Sequence, residues 1–138
     1  MSVEENVALV QKQYDAFSRG DIPSLLATLD ENIEWINPGA VPPLSGLRRG
    51  RDQVADFFRQ VNDIWEFLSF EPREFIASGD RVIVLGHYEM RDRPTGRPTG
   101  SNWVMAWTVQ NGKATRFEEY TDTQTLAASL ATADSASA

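Results

Sequence analysis

The sequence predicts an α+β fold, with helices first and antiparallel strands later. Apolar residues recur at helical spacing in three stretches before residue 66, whereas residues 67–121 divide into four strand-like runs separated by turn signals. One strand interrupts the helices: Glu34-Trp35-Ile36-Asn37-Pro38 sets Trp35 and Asn37 on one face and stops at a proline.

In the first helix, Val3 to Ser18, the inward stripe is Val7, Val10, Tyr14 and Phe17; Glu4 and Glu5 favour the N-terminal dipole, and Gly20 stops the helix. Asp21 is an N-cap with Pro23 just inside, giving a second helix from Ile22 to Leu29 that packs Leu25, Leu26 and Leu29 inward. Asp30-Glu31-Asn32 breaks it. The segment from Pro38 to Gly50 holds three of the seven prolines and three glycines, which predicts an irregular lid or pocket rim. Asp52 to Trp65 is helical again, with Val54, Phe57, Phe58, Val61 and Trp65 as its inner stripe.

The strands predicted next are Phe67 to Ser78, Arg81 to Arg91, Gly100 to Gln110 and Lys113 to Thr121. Ser78-Gly79-Asp80 and Gln110-Asn111-Gly112 are hairpin signals, and Pro94 to Gly100 forms the longer connection between the middle pair. A last helix is expected from Thr121 to Ala131, with Thr121 and Gln124 at capping-box spacing and Asp122 as the alternative cap. Residues 132–138 are small and polar and are expected to fray, so the reading is one domain over 1–131, without internal repeats.

A chain of 138 residues with 41% hydrophobic content, four Trp, three Tyr and seven Phe is long enough to bury a real core. Its net charge of −7 argues against nucleic acid and anionic membranes as partners, because both repel an acidic surface. The basic run Arg48-Arg49-Gly50-Arg51 reads as a solvated loop entering a helix. No cysteine is present, so disulfides and thiolate chemistry are excluded. Without a signal-peptide pattern at Met1 or a long apolar run, a cytoplasmic location is expected.

Metal sites, phosphate loops and nucleophile elbows all lack their motifs, since there is one histidine and no matching glycine or serine context. What remains is a set of polar residues on otherwise apolar faces. Tyr14 on the first helix either donates to a ligand oxygen or is a core tyrosine with its tip at the surface. Phe117, Glu119 and Thr121 share a strand face, so burying Phe117 also buries Glu119 and raises its pKa towards acid–base work; the opposite phase buries Ala114, Arg116, Glu118 and Tyr120.

In the run 81–91, amphipathicity turns Val82, Val84, Gly86, Tyr88 and Met90 inward and leaves His87 and Glu89 outside at a subunit contact; the other phase sets His87 and Glu89 beside Glu119. Trp103, Met105 and Trp107 share the next face and, with Trp35 and Phe58, form either core or the wall of an apolar pocket.

Several segments carry a resemblance: Tyr14-Asp15-Ala16-Phe17-Ser18-Arg19-Gly20-Asp21, Trp35-Ile36-Asn37-Pro38, Gly46 with Gly50, Trp107 to Lys113, and Arg116 to Thr123. From Val7 to about Leu126 the chain resembles the nuclear transport factor 2-like superfamily, and within it the SnoaL-like and ketosteroid isomerase-like proteins. The resemblance implies a conical α+β barrel, with a curved sheet wrapped around a pocket roofed by helices, and a homodimer through the outer sheet face. Against the ketosteroid isomerases, Tyr14 matches the oxyanion-binding tyrosine, Asn37 stands where the aspartate base is, and Met105 replaces the protonated aspartate.

The water-activating aspartate of limonene epoxide hydrolases, which look similar in the closing strand, matches Glu119. The histidine and aspartate of SnoaL-like polyketide cyclases find only His87 with Glu89, Glu119 or Asp122. The expected function is therefore a cofactor-free isomerase, hydrolase or cyclase acting on a small apolar molecule, with Glu119 as acid or base, Tyr14 and Asn37 orienting an oxygen, and Trp35, Phe58, Tyr88, Trp103, Met105, Trp107 and Phe117 as walls. A ligand-binding domain without chemistry, using the same pocket, is the alternative.

Overall fold

The protein is described by a computed structural model covering residues 2–39, 41 and 43–131. Its elements run α1 (Val3–Ser18), α2 (Ile22–Ala27), β1 (Leu29–Asn37), β2 (Gly46–Arg49), α3 (Gly50–Ile64), β3 (Trp65–Ser78), β4 (Arg81–Asp92), β5 (Pro98–Gln110), β6 (Lys113–Thr121) and α4 (Thr123–Leu130). All six strands join one sheet in the order β2-β1-β6-β5-β4-β3, antiparallel except where β1 lies parallel to β6. Helices α1 and α3 pack on one face of this curved sheet, giving the conical α+β architecture.

Local chemistry sets most helix ends. Ser2 and Glu5 close a capping box ahead of α1. Asp21 caps α2, and Pro23 sits in its first turn. At α4 the cap is Asp122, which accepts from the Thr125 backbone at 3.0 Å and its hydroxyl at 2.6 Å; the Thr121 and Gln124 capping box does not form, because Thr121 stays in β6.

The differences from expectation arise where distant residues intervene. The second helix ends at Ala27 rather than Leu29, and Leu29 opens β1 with its carbonyl accepting from Arg51 Nε at 2.8 Å and Nη2 at 2.6 Å. The expected break at Asp30-Glu31-Asn32 is thus part of the strand. The irregular rim contains β2, which pairs with β1 from Gly46 opposite Asn37 to Arg49 opposite Glu34.

The basic run is likewise structural. Arg48 reaches the Leu44 and Pro43 carbonyls and lies 4.8 Å over the Phe57 ring, and Arg49 pairs with Glu34 at 3.7 Å. Trp65, expected in a helix, starts β3, and Pro98 starts β5 before the loop was expected to end. The expected frayed tail, 132–138, lies outside the described residues.

Register irregularities decide which residues face the helices. On β3, Leu68 and Arg73 have no partner across from β4, so Phe67 and Phe70, three apart, both turn towards the core. Thr115 is the extra residue on β6, which lets Ala114 and Phe117 both be buried while Glu119 keeps the face of Phe117.

Candidate functional site

The inward faces of α1, α3 and the sheet enclose a chamber of about 80 Å³ lined by aromatic and aliphatic side chains, with Gln13, Asn37 and Glu119 as its amide and carboxylate groups. Trp35 forms one wall, stacked on Phe117 with ring centroids 3.9 Å apart and edge-on to Phe58 and Trp107. Phe58, Tyr88, Met105, Trp107 and Phe117 all contribute to the lining.

Glu119 is the one carboxylate in this wall. The parallel pairing of β1 with β6 sets Trp35 opposite Phe117 and Ile36 opposite Glu118, so the next step brings Asn37 beside Glu119. Asn37 Nδ2 donates to Glu119 Oε1 at 3.1 Å, and Tyr88 Oη lies 3.3 Å from Oε2. Tyr88 Oη also donates to Thr121 Oγ1 at 2.9 Å, and the Thr121 hydroxyl donates to the Asn102 carbonyl at 3.2 Å.

One phenolic proton cannot serve both acceptors. If Tyr88 gives it to Thr121, its oxygen faces Glu119 as an acceptor, and the chain is complete when Glu119 carries a proton. Electrostatics agree: burial pushes the Glu119 carboxyl up to about 7, with the Asn37 and Tyr88 hydrogen bonds pulling weakly the other way. A carboxyl of this kind is populated in both forms near neutral pH, which suits general acid–base chemistry.

Tyr14 also lines the chamber, but its hydroxyl is engaged: it accepts from Trp107 Nε1 at 3.0 Å and donates to Met105 Sδ at 3.2 Å. Burial, with the nearby Glu119 charge, raises its pKa, so it stays a neutral phenol. Asn37 Oδ1 has no partner among the described residues although the residue is 7% exposed, leaving an acceptor available at the chamber wall.

Four expected site residues are placed elsewhere. Trp103 does not line the chamber; it is fully buried behind it, stacked on Tyr14 and Phe70. His87 and Glu89 lie on the outer face, bonded to each other, with His87 also bonded to Asn102, because the alternation that buries Val82, Val84, Tyr88 and Met90 turns them out. Asp122 serves as the α4 cap, so of the cyclase-like pairings only His87 with Glu89 forms, and it stands on the outer face rather than in the chamber.

Gln13, Leu25, Trp65, Phe67, Phe70 and Met90 are wall residues that sequence reasoning did not assign to a site. The Phe67 and Phe70 pair was hidden by the bulge at Leu68, and Gln13 neighbours Tyr14 on a stripe read only for apolar residues. No cluster of three or more metal-ligating side chains exists among the described residues.

The model of the SnoaL-like domain matches residues 10–117. The chain belongs to the SnoaL-like family. Among solved structures, an NTF2-like protein from Burkholderia xenovorans LB400 is 42% identical, superimposes with a TM-score of 0.86, and shares 94% of this chain and 98% of its own. An NTF2-like protein of unknown function from Burkholderia pseudomallei K96243 is 34% identical over 96% of this chain and 100% of its own, with a TM-score of 0.87. TerC, co-crystallised with polyporic acid, is 30% identical over 88% of this chain and 95% of its own, with a TM-score of 0.81. This SnoaL-like chain has no helix long and apolar enough to cross a membrane among its described residues.

Proposed function

We propose that this SnoaL-like protein is a cofactor-free acid–base enzyme acting on a small, largely apolar molecule, with Glu119 as the group that gives and takes the proton. The observation that carries this is a lone carboxyl, raised to about 7, in a chamber otherwise lined by apolar and aromatic side chains and two amides. Its register partner on β5 is Met105, the position at which ketosteroid isomerases are expected to hold their protonated aspartate. The proton-carrying group has moved to the neighbouring strand.

Asn37 gives Glu119 one hydrogen bond and offers its free Oδ1 to a substrate donor. Thioether sulfur is a weak acceptor, so a substrate oxygen can take the Tyr14 hydroxyl from Met105 and be held beside Glu119. That TerC was solved with polyporic acid supports a small-molecule occupant for a chamber of this fold. A homodimer through the outer sheet face belongs to the same proposal.

The test is a mass-spectrometric turnover screen of small epoxides, enones and polyketide-like esters with wild type and Glu119→Gln. Conversion by wild type alone supports the assignment, and equal conversion by both removes Glu119 from the chemistry. Silence in both across the panel favours a ligand-binding domain using the same chamber.

A further inference from the structure

The chamber around Glu119 is small. At about 80 Å³ it falls below the roughly 300–1,000 Å³ of ordinary ligand pockets. Outside it, against α2, α3 and β3, opens a cleft of about 840 Å³. The two share Phe17, Phe58, Val61, Trp65, Phe67 and Phe70 as walls, so only these side chains stand between the chamber and the cleft.

We propose that this cleft is a second subsite recognising an anionic group, and that the substrate is bipartite: a small apolar head beside Glu119 and a tail ending in a carboxylate in the cleft. The proposal rests on the reading that the inner chamber takes a small molecule. Its own support is the chemistry of the lining. The cleft carries Arg59 and Arg93 and no Asp or Glu, in a chain with 20 acidic and 13 basic residues.

Arg93 is held by its Nε, which donates to the Asn62 carbonyl at 2.7 Å, so both terminal nitrogens remain available. No carboxylate among the described residues pairs with it. Arg59 engages Asp56 through Nη2 at 2.8 Å and keeps its other N–H groups. A guanidinium fork binds a carboxylate through two parallel hydrogen bonds, which a point charge does not. The rest of the lining suits an aliphatic or aromatic spacer: Ile22, Leu26 and Leu68, the last 54% exposed with no apolar cover of its own.

The probe is a matched pair, phenylhexanoate and phenylhexanol, titrated into the whole protein and followed by tryptophan fluorescence, since Trp35, Trp65 and Trp107 line the chamber. The acid is expected to bind more tightly than the alcohol. Arg93→Gln and Arg59→Gln, both at solvent-facing guanidinium groups, should each weaken the acid by roughly two- to fivefold and leave the alcohol unchanged. Arg93→Lys should keep part of the preference.

Equal binding of acid and alcohol to wild type, or an acid preference that survives in the double glutamine variant, overturns the subsite. In either case alcohol binding still reports on the chamber, so the two readings fail separately. If neither probe binds, the subsite is overturned for such tails, while the turnover screen decides the role of Glu119.

Discussion

At the scale of single residues, Glu119 couples protonation to stability as well as to the proposed chemistry. Its folded pKa, about 7, lies above the ordinary value of 4.5, so the folded state holds the proton more tightly than the unfolded chain. The contribution is fully present below pH 4.5 and is lost as pH rises through 7. A shift of this size corresponds to about 3 kcal/mol at 1.36 kcal/mol per pH unit. Denaturant unfolding at pH 5 and pH 8 should therefore show wild type losing roughly 2–3 kcal/mol more stability than Glu119→Gln. A glutamine variant with the same loss as wild type would remove Glu119 as the cause. The amide keeps an acceptor for Asn37 Nδ2 and supplies an N–H towards the Tyr88 oxygen, so the variant retains the chain of hydrogen bonds.

At the scale of elements, the curvature that makes room for the chamber depends on close approaches the pleat alone does not supply. Gly86 lies opposite Trp103 in the β4–β5 ladder, and a Cβ there would stand 2.2 Å from Trp103 Cζ2 and 2.5 Å from the Glu71 carbonyl oxygen. Neither an indole wedged against Tyr14 and Phe70 nor a strand backbone can give way easily. Gly86→Ala is expected to cost about 1–3 kcal/mol, the range for overpacking, read as a lowered unfolding midpoint with unchanged far-UV spectrum. No loss would mean that Trp103 repacks freely. The fixed position of Trp103 explains why it supports the chamber from behind rather than lining it.

At the scale of the whole molecule, the outer sheet face is where the proposed homodimer is tested. Leu85, Val104 and Tyr120 are successive register partners across β4, β5 and β6 and point away from the helices, with Tyr120 53% exposed. Sedimentation velocity should give a dimer for wild type and a monomer for Val104→Lys, because the lysine sets two like charges against the facing copy. A lysine variant that sediments like wild type would place the contact elsewhere. The order of the helices and of the strands other than β2, the inward turn of Glu119 and Tyr88, and the aromatic wall were legible in the sequence because each rests on a local period or on caps such as Asp21. Two-residue alternation alone shows that a face burying Phe117 also buries Glu119. The tertiary structure decided what local period cannot encode. Arg51 reached back to start β1 at Leu29, bulges at Leu68 and Thr115 re-aimed neighbouring side chains, and the parallel pairing of β1 with β6 delivered Asn37 to Glu119. It also took the Tyr14 hydroxyl into the wall, because partners 91 and 93 residues away in sequence, Met105 and Trp107, satisfy it. A periodic pattern says which face a residue is on, whereas which groups meet on that face depends on register between distant strands.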